Sequence, residues 1–111
     1  MRCKLIALSE DGRHLELFFP QIWPVADGYT HPEGISREIY ENVGPFLQNP
    51  ARDALGLIDD DTYFEVLDYH LNCLGDTAIY LMDKYGWDLL FTETHASDYC
   101  NHFFLRMADP I

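Results

Sequence analysis

The sequence predicts an α/β fold in which a β-hairpin and an irregular segment precede a helix, a strand and a second helix. An Asp-Gly pair between two short apolar runs predicts the hairpin over residues 3–19. Apolar residues at steps of three and four from Phe64 to Tyr85 predict the first helix. The continuously apolar run 89–91 is typical of a strand covered on both faces of a parallel sheet. Because no partner strands follow, we expect this sheet to be incomplete.

The first 61 residues are predicted to form a hairpin and a cap-like insertion. In the second strand Leu15, Leu17 and Phe19 share one face, whereas Phe18 interrupts the alternation, so we expect both faces to be partly covered. Prolines and glycines interrupt residues 20–61. A short helix is expected from Ser36, as N-cap, to Val43. The rest is predicted to be an elaborated loop.

Residues 62–111 are predicted to form a helix–strand–helix segment within the same compact unit. Thr62 and Glu65 have the spacing of a capping box, and Gly86 is placed to end the helix. The pair at 75–76, Gly-Asp, is expected to divide it. The strand is expected over 87–94 and the second helix over 98–107. We expect one face of the first helix to pack in the core: Phe64, Leu67, Leu71, Leu74, Ala78, Leu81 and Tyr85.

The charge balance limits the classes of partner. With 19 acidic and 7 basic residues, the formal net charge is -12, which disfavours nucleic acids and anionic membrane surfaces. The three cysteines are odd in number and form no CxxC motif, which favours a reducing compartment, and we predict a cytoplasmic protein. The apolar stretch near the N-terminus is too short for a signal peptide, and no stretch approaches the ~20 apolar residues of a membrane span.

Asp98 and His102 form the sharpest chemical pattern in the sequence. Their i, i+4 spacing would place both side chains on one helix face, with a rise of ~6 Å between them. A carboxylate and an imidazole suit zinc, manganese or iron. Two simpler interpretations stay open: Ser97 or Asp98 caps the helix, and His102 is an ordinary half-buried histidine. A catalytic zinc site needs a third protein ligand, for which His95 is the candidate.

A wider pattern surrounds this pair. Residues 80–91, which contain the Trp-Asp-Leu sequence at 87–89, and residues 97–104 together resemble a stretch of the alkaline phosphatase superfamily. The resemblance is to its type I phosphodiesterase/nucleotide pyrophosphatase-like and phosphomutase-like branch. It covers about residues 60–107 and extends more loosely to the hairpin and the Gly44-Pro45 region. It implies that Asp98 and His102 are ligands to one of two active-site metal ions, zinc or manganese.

The resemblance further implies an alkaline-phosphatase-like sheet and a metal-dependent phosphoester hydrolase with a phosphoester substrate. Members of the superfamily also use a Thr or Ser nucleophile and an Asp-His dipeptide. This sequence contains no Asp-His dipeptide and no recognisable nucleophile turn, so we assign no catalytic residue and expect the chain to be inactive alone. Whether it is an excised fragment or a truncated relative stays open.

Two other functions stay open. The first is a non-catalytic interaction or binding module; its contact surface would consist of aromatic residues that are otherwise expected in the core, namely Phe18, Phe19, Trp23, Tyr29 and Tyr40. The second is a self-contained metalloprotein that uses His95, Asp98 and His102, and His70 is a further residue with an open functional role. If the sheet is incomplete, apolar surface is exposed, and we expect the chain to self-associate.

Overall fold

A computed structural model describes residues 3–26, 28–48 and 58–108. The elements in these ranges are, in chain order, two strands, β1 (Lys4–Leu8) and β2 (Leu15–Phe18), and three helices, α1 (Ile35–Asn42), α2 (Asp60–Tyr85) and α3 (Ala96–Ala108). The strands form one antiparallel sheet. The chain is therefore a mixed α/β protein, as predicted.

The predicted hairpin is confirmed. Lys4 pairs with Phe18 and Leu8 with Leu15, and the register shifts between Leu5 and Ala7. In the connecting turn, Gly12 adopts a left-handed conformation and its N–H donates to the Ser9 carbonyl. Such a backbone conformation has a positive φ that glycine adopts without steric cost.

The two faces of β2 differ in a way that the sequence did not predict. Leu15, Leu17 and Phe19 are exposed, and only Phe18 is half-buried. The expectation that both faces are partly covered was therefore wrong for the leucine face. A two-stranded sheet has one layer, so its second face is buried only if another element packs on it.

The short helix α1 lies where it was predicted but begins differently. Gly34, at φ 93°, is its N-cap, and its carbonyl accepts from the Glu38 N–H. Ser36 lies inside the first turn, where its N–H donates to the Thr30 hydroxyl over 3.2 Å. The predicted N-cap was therefore wrong by two positions, because Ser36 is already inside the first turn and makes no side-chain cap.

The long helix α2 is continuous through Gly75 and Asp76, so the predicted division was wrong. One glycine costs a helix only about 1 kcal/mol relative to alanine, which long flanking segments tolerate. The N-cap is Asp59, whose carboxylate accepts from the Thr62 N–H over 2.7 Å, rather than the predicted capping box at Thr62. At the other end Gly86 adopts the predicted terminating, left-handed conformation.

The predicted core face of α2 was largely wrong. Of its seven positions only Leu67 is buried, whereas Leu74, Ala78 and Leu81 are half-buried and Phe64, Leu71 and Tyr85 are exposed. The buried positions are instead Thr62, Tyr63, Val66, Leu67, His70, Cys73 and Thr77. The segment before α2 contacts this side of the helix. The Tyr69 hydroxyl donates to the Pro45 carbonyl over 3.2 Å, and His70 bonds to the Leu47 carbonyl. A count of aliphatic residues does not identify this face, because many of its residues are polar or aromatic.

The core joins α2 to α3. Tyr63, Leu67 and Ala96 form its buried centre, and four half-buried residues pack against them: Ile58, Cys100, Phe103 and Phe104. The ring centroids of Tyr63 and Phe104 lie 5.6 Å apart. This contact fixes the position of α3, on which the predicted metal ligands lie.

Residues 86–95 are all described and contain no strand, so the strand predicted over 87–94 was wrong for this chain. Leu89 is 78% exposed and Phe91 is 90% exposed. A parallel strand is stabilised by hydrogen bonds to its neighbours, and no described strand lies beside this segment. Leu89 and Phe91 therefore face solvent, whereas Leu90 is half-buried.

The chain exposes more surface than a compact protein of its mass. Its accessible area is 8553 Å², against about 6300 Å² expected for a folded monomer of 12.9 kDa. The radius of gyration is 17.2 Å, against about 13 Å for a compact domain of this length. This agrees with the predicted exposure of apolar surface, whereas self-association stays a prediction. Among the described residues, no helix has the length and apolarity needed to cross a bilayer.

Candidate functional site

The first turn of α3 positions the predicted metal ligands. The helix begins at Ala96, and the His95 carbonyl accepts from the Tyr99 N–H over 2.9 Å. The Thr94 hydroxyl accepts from the Ala96 N–H over 3.4 Å. Asp98 therefore lies within the first turn rather than at the cap, so its carboxylate is not needed to begin the helix. The predicted helix over 98–107 is confirmed, with two additional residues at its start and one at its end.

Asp98 and His102 lie side by side on the solvent-facing side of α3. The Asp98 Oδ1 atom lies 3.5 Å from the His102 Nε2 atom, and the two side chains are 59% and 71% exposed. Both donor atoms are thus accessible to an ion in solution. A carboxylate oxygen and an imidazole nitrogen are ligands that zinc and manganese accept, so the pair fits two positions of a divalent-metal site.

His95 does not join this pair. Its Nε2 atom lies 3.0 Å from the Glu93 Oε1 atom, on the segment that leads into α3. Within residues 3–26, 28–48 and 58–108, no three His, Cys, Asp or Glu side chains lie close enough to hold one metal ion. Of the three residues that a self-contained metal site would use, the structure therefore brings together Asp98 and His102 but not His95.

An adjacent side of α3 borders a cavity of about 750 Å³. Tyr99 and Phe103, each one residue after a predicted metal ligand, line it, together with residues of α2 and of the segment between the hairpin and α2. Trp23, Tyr29 and Tyr40 belong to this lining, whereas Phe18 borders a separate, smaller depression near β1. The predicted contact surface is thus divided, because three of its five aromatic residues line this cavity, Phe18 borders the other depression, and Phe19 lines neither and is exposed.

His70 lies in the wall of this cavity and is only 7% exposed. Its Nδ1 atom lies 2.8 Å from the Leu47 carbonyl oxygen. Because a carbonyl oxygen only accepts hydrogen bonds, the proton of the neutral ring lies on Nδ1 and Nε2 carries the lone pair. The Phe46 ring packs edge-on against the imidazole at 5.2 Å. The sequence had pointed to His70 only as a residue flanking the predicted core face.

A second charged cluster joins α1 to the end of α2. The Lys84 Nζ atom lies 2.7 Å from the Glu38 Oε1 atom, and the Tyr85 hydroxyl donates to the same carboxylate over 2.9 Å. The hydrogen bond from Lys84 lowers the pKa of Glu38, and the bond to Glu38 raises the pKa of Lys84. The partners satisfy one another, so the cluster serves as a connection between helices.

Cys73 offers no activated thiol. Cys73 is buried, and burial raises the pKa of its thiol above the ordinary value. A raised pKa keeps the group protonated at neutral pH and therefore poorly nucleophilic. Cys3, Cys73 and Cys100 are all free thiols.

Comparisons with known proteins found no matching family model, no matching curated protein and no matching solved structure. The functional interpretation therefore depends on the residues themselves, on the geometry of α3 and on the resemblance of residues 80–91 and 97–104 described above.

Proposed function

We propose that the chain is part of a metal-dependent phosphoester hydrolase of the alkaline phosphatase type. In this proposal Asp98 and His102 supply two of the ligands to a divalent ion, zinc or manganese. The observation that carries it is the 3.5 Å approach of their donor atoms on an exposed helix face. The order of long helix, apolar segment and Asp-x-x-x-His helix, which underlies the resemblance, supports the same assignment.

The charge of the chain is compatible with a phosphoester substrate only if another cation is present. Acidic residues exceed basic ones by twelve, and the basic residues are scattered along the sequence. Two divalent ions would supply the missing positive charge, polarise the phosphoryl oxygens and stabilise the attacking and leaving oxygens of an in-line displacement. Asp98 and His102 would hold one of these ions through a carboxylate and an imidazole.

The finer architecture belongs to the same proposal. We propose that residues 87–94 form a strand of an alkaline-phosphatase-like sheet when neighbouring strands pair with them. The exposure of Leu89 and Phe91 supports this, because a strand covered on both faces would bury such residues. The nucleophile and the remaining metal ligands would come from residues other than these, so the chain alone should lack phosphoesterase activity. A cytoplasmic location, predicted from the cysteine count, is part of this proposal.

Calorimetric titration of the chain with zinc and with manganese tests the proposal. A two-donor site should bind one ion weakly, and Asp98→Ala or His102→Ala should each lower the affinity about tenfold or more, a difference of ~1.4 kcal/mol. His95→Ala is the matched control, because His95 lies next to the same helix but contacts Glu93. If His95→Ala lowers the affinity as much as the other two substitutions, or if none does, the assignment of Asp98 and His102 is wrong.

A further inference from the structure

We infer that the cavity beside His70 is a binding site for an uncharged planar aromatic compound that carries an O–H or N–H donor, such as a phenol. This inference is independent of the metal proposal, since neither Asp98 nor His102 lines the cavity. It concerns an adjacent face of α3, which carries Tyr99 and Phe103. Four properties of the cavity support it: its walls, its buried acceptor, its charge and the fixed position of its lining.

The walls match a flat ring. The volume of about 750 Å³ lies within the range of roughly 300–1,000 Å³ that small-molecule sites occupy. Six aromatic side chains line it: Trp23, Tyr29, Tyr40, Phe46, Tyr99 and Phe103. Aromatic rings prefer offset-stacked or edge-to-face partners, so a planar ligand gains contact with several of these walls at once.

His70 supplies the directional contact. The Leu47 carbonyl fixes the tautomer, so the ring nitrogen that remains for a ligand is Nε2, which accepts a hydrogen bond. Because the imidazole is buried, an acceptor left without a partner costs free energy when a ligand displaces water. The site therefore discriminates in favour of a ligand with a donor over an isostere that lacks one.

The charge of the lining excludes anions. None of the residues that line the cavity is Lys or Arg. Glu93 and His95 both line it, but the Glu93 Oε1 atom lies 3.0 Å from the His95 Nε2 atom, so these two side chains already contact each other. A phosphate or carboxylate would enter without a cationic partner, and burial of an unpaired charge is unfavourable. The preferred ligand is therefore uncharged, which separates this site from the proposed phosphoester chemistry.

The lining is held in position before any ligand arrives. The Trp23 N–H donates to the Phe46 carbonyl over 2.9 Å, and the Gln48 N–H donates to the Gln21 carbonyl over 2.9 Å. These bonds join the two sides of the segment, and the Leu47 carbonyl joins that segment to α2 through His70. A preorganised site loses less conformational entropy on binding.

The first test compares two ligands, one with an O–H donor and one in which a methyl group replaces the hydroxyl hydrogen. In a Trp87→Phe background, Trp23 is the remaining tryptophan and reports on the cavity. Titration with p-cresol should change the fluorescence emission of Trp23 until it saturates, and calorimetry should give a stoichiometry of one ligand per chain. 4-Methylanisole should bind about tenfold more weakly. Equal affinities, or no saturable binding of p-cresol, would overturn the inference.

The second test uses three substitutions. His70→Asn keeps a donor near the Nδ1 position for Leu47 but removes the Nε2 acceptor, so p-cresol should bind about tenfold more weakly while 4-methylanisole is unaffected. Val25→Phe should fill the cavity and weaken both ligands, whereas Ile79→Phe, on an exposed position outside it, should change neither.

Circular dichroism of each variant distinguishes loss of the site from loss of the fold. If His70→Asn does not fold, the comparison of p-cresol with 4-methylanisole and the Val25→Phe variant still test the inference, because both experiments keep His70. Undiminished p-cresol binding in folded Val25→Phe would place the ligand elsewhere. Asp98→Ala should leave p-cresol binding unchanged, so failure of the metal proposal and failure of this inference are separable.

Discussion

The helices α2 and α3 each carry a histidine of functional interest, but in opposite surroundings. His70 of α2 is buried and fixed by a backbone carbonyl, whereas His102 of α3 is exposed and has a carboxylate one turn away. The imidazole of His70 is available only to a ligand inside the cavity. That of His102 is available to any ion in solution, provided other groups complete its coordination. Burial and partners, rather than the residue type, separate the two chemical roles.

The largest effect should follow from removing the aromatic residue that joins the two helices. Tyr63 is almost fully buried against α3. Tyr63→Ala should lower the free energy of unfolding by about 3–5 kcal/mol, since a large buried aromatic is replaced by a methyl group. Urea unfolding followed by circular dichroism measures the change. A loss below about 1 kcal/mol would show that α3 does not depend on this contact.

A smaller effect should separate the two histidines directly. His70→Phe leaves the Leu47 carbonyl without its donor, and we expect a loss of about 1–3 kcal/mol. His102→Phe should change the midpoint little, because the exposed imidazole makes only a 3.5 Å contact with Asp98. Paired urea titrations of the two variants provide the measurement. Equal midpoints for the two variants would contradict the difference in burial.

The smallest effect concerns the beginnings of the two helices. The Thr62 side chain beside the Asp59 carboxylate, and the Thr62 N–H that donates to it over 2.7 Å, lower the pKa of Asp59 in the folded protein. The stabilisation is therefore present above the ordinary Asp pKa of about 3.9 and is lost as the pH falls through the lowered value. At α3 the corresponding acceptor is the Thr94 hydroxyl, which accepts from the Ala96 N–H and does not titrate in this range.

Asp59→Asn should keep a cap but remove this titration, so stability should depend less on pH below about 4 than in the wild type. Urea midpoints between neutral and acidic pH would show this as a shallower decline. Identical pH profiles for the two proteins would indicate that Asp59 does not stabilise α2 through its charge.

Local signals predicted much of the fold. The Asp-Gly turn identified the hairpin, and Gly86 correctly marked the end of α2. The strand predicted over 87–94 was wrong for this chain, because a strand depends on partners that local sequence does not specify. The core face of α2 was predicted wrongly because the prediction used the spacing of apolar residues. The buried positions include Tyr63, His70 and Thr77, which carry polar atoms.

The same distinction holds for the candidate site. The spacing of Asp98 and His102 is local to one helix, so the sequence sufficed to predict that their side chains would lie together. The cavity is assembled from residues of three regions that are far apart in the chain: the segment before α2, α2 itself, and α3 with the residues just before it. Only the tertiary contact between Leu47 and His70 shows that the imidazole presents an acceptor.

The central claim is that Asp98 and His102 bind a divalent ion, and the most direct measurement is paramagnetic broadening of amide resonances by manganese. Substoichiometric Mn²⁺ should broaden first the amides around Asp98 and His102, and His102→Ala should abolish this effect. Broadening confined instead to the acidic start of α2, at Asp59 to Asp61, would contradict the claim, because it would show that the ion prefers an unspecific cluster of carboxylates.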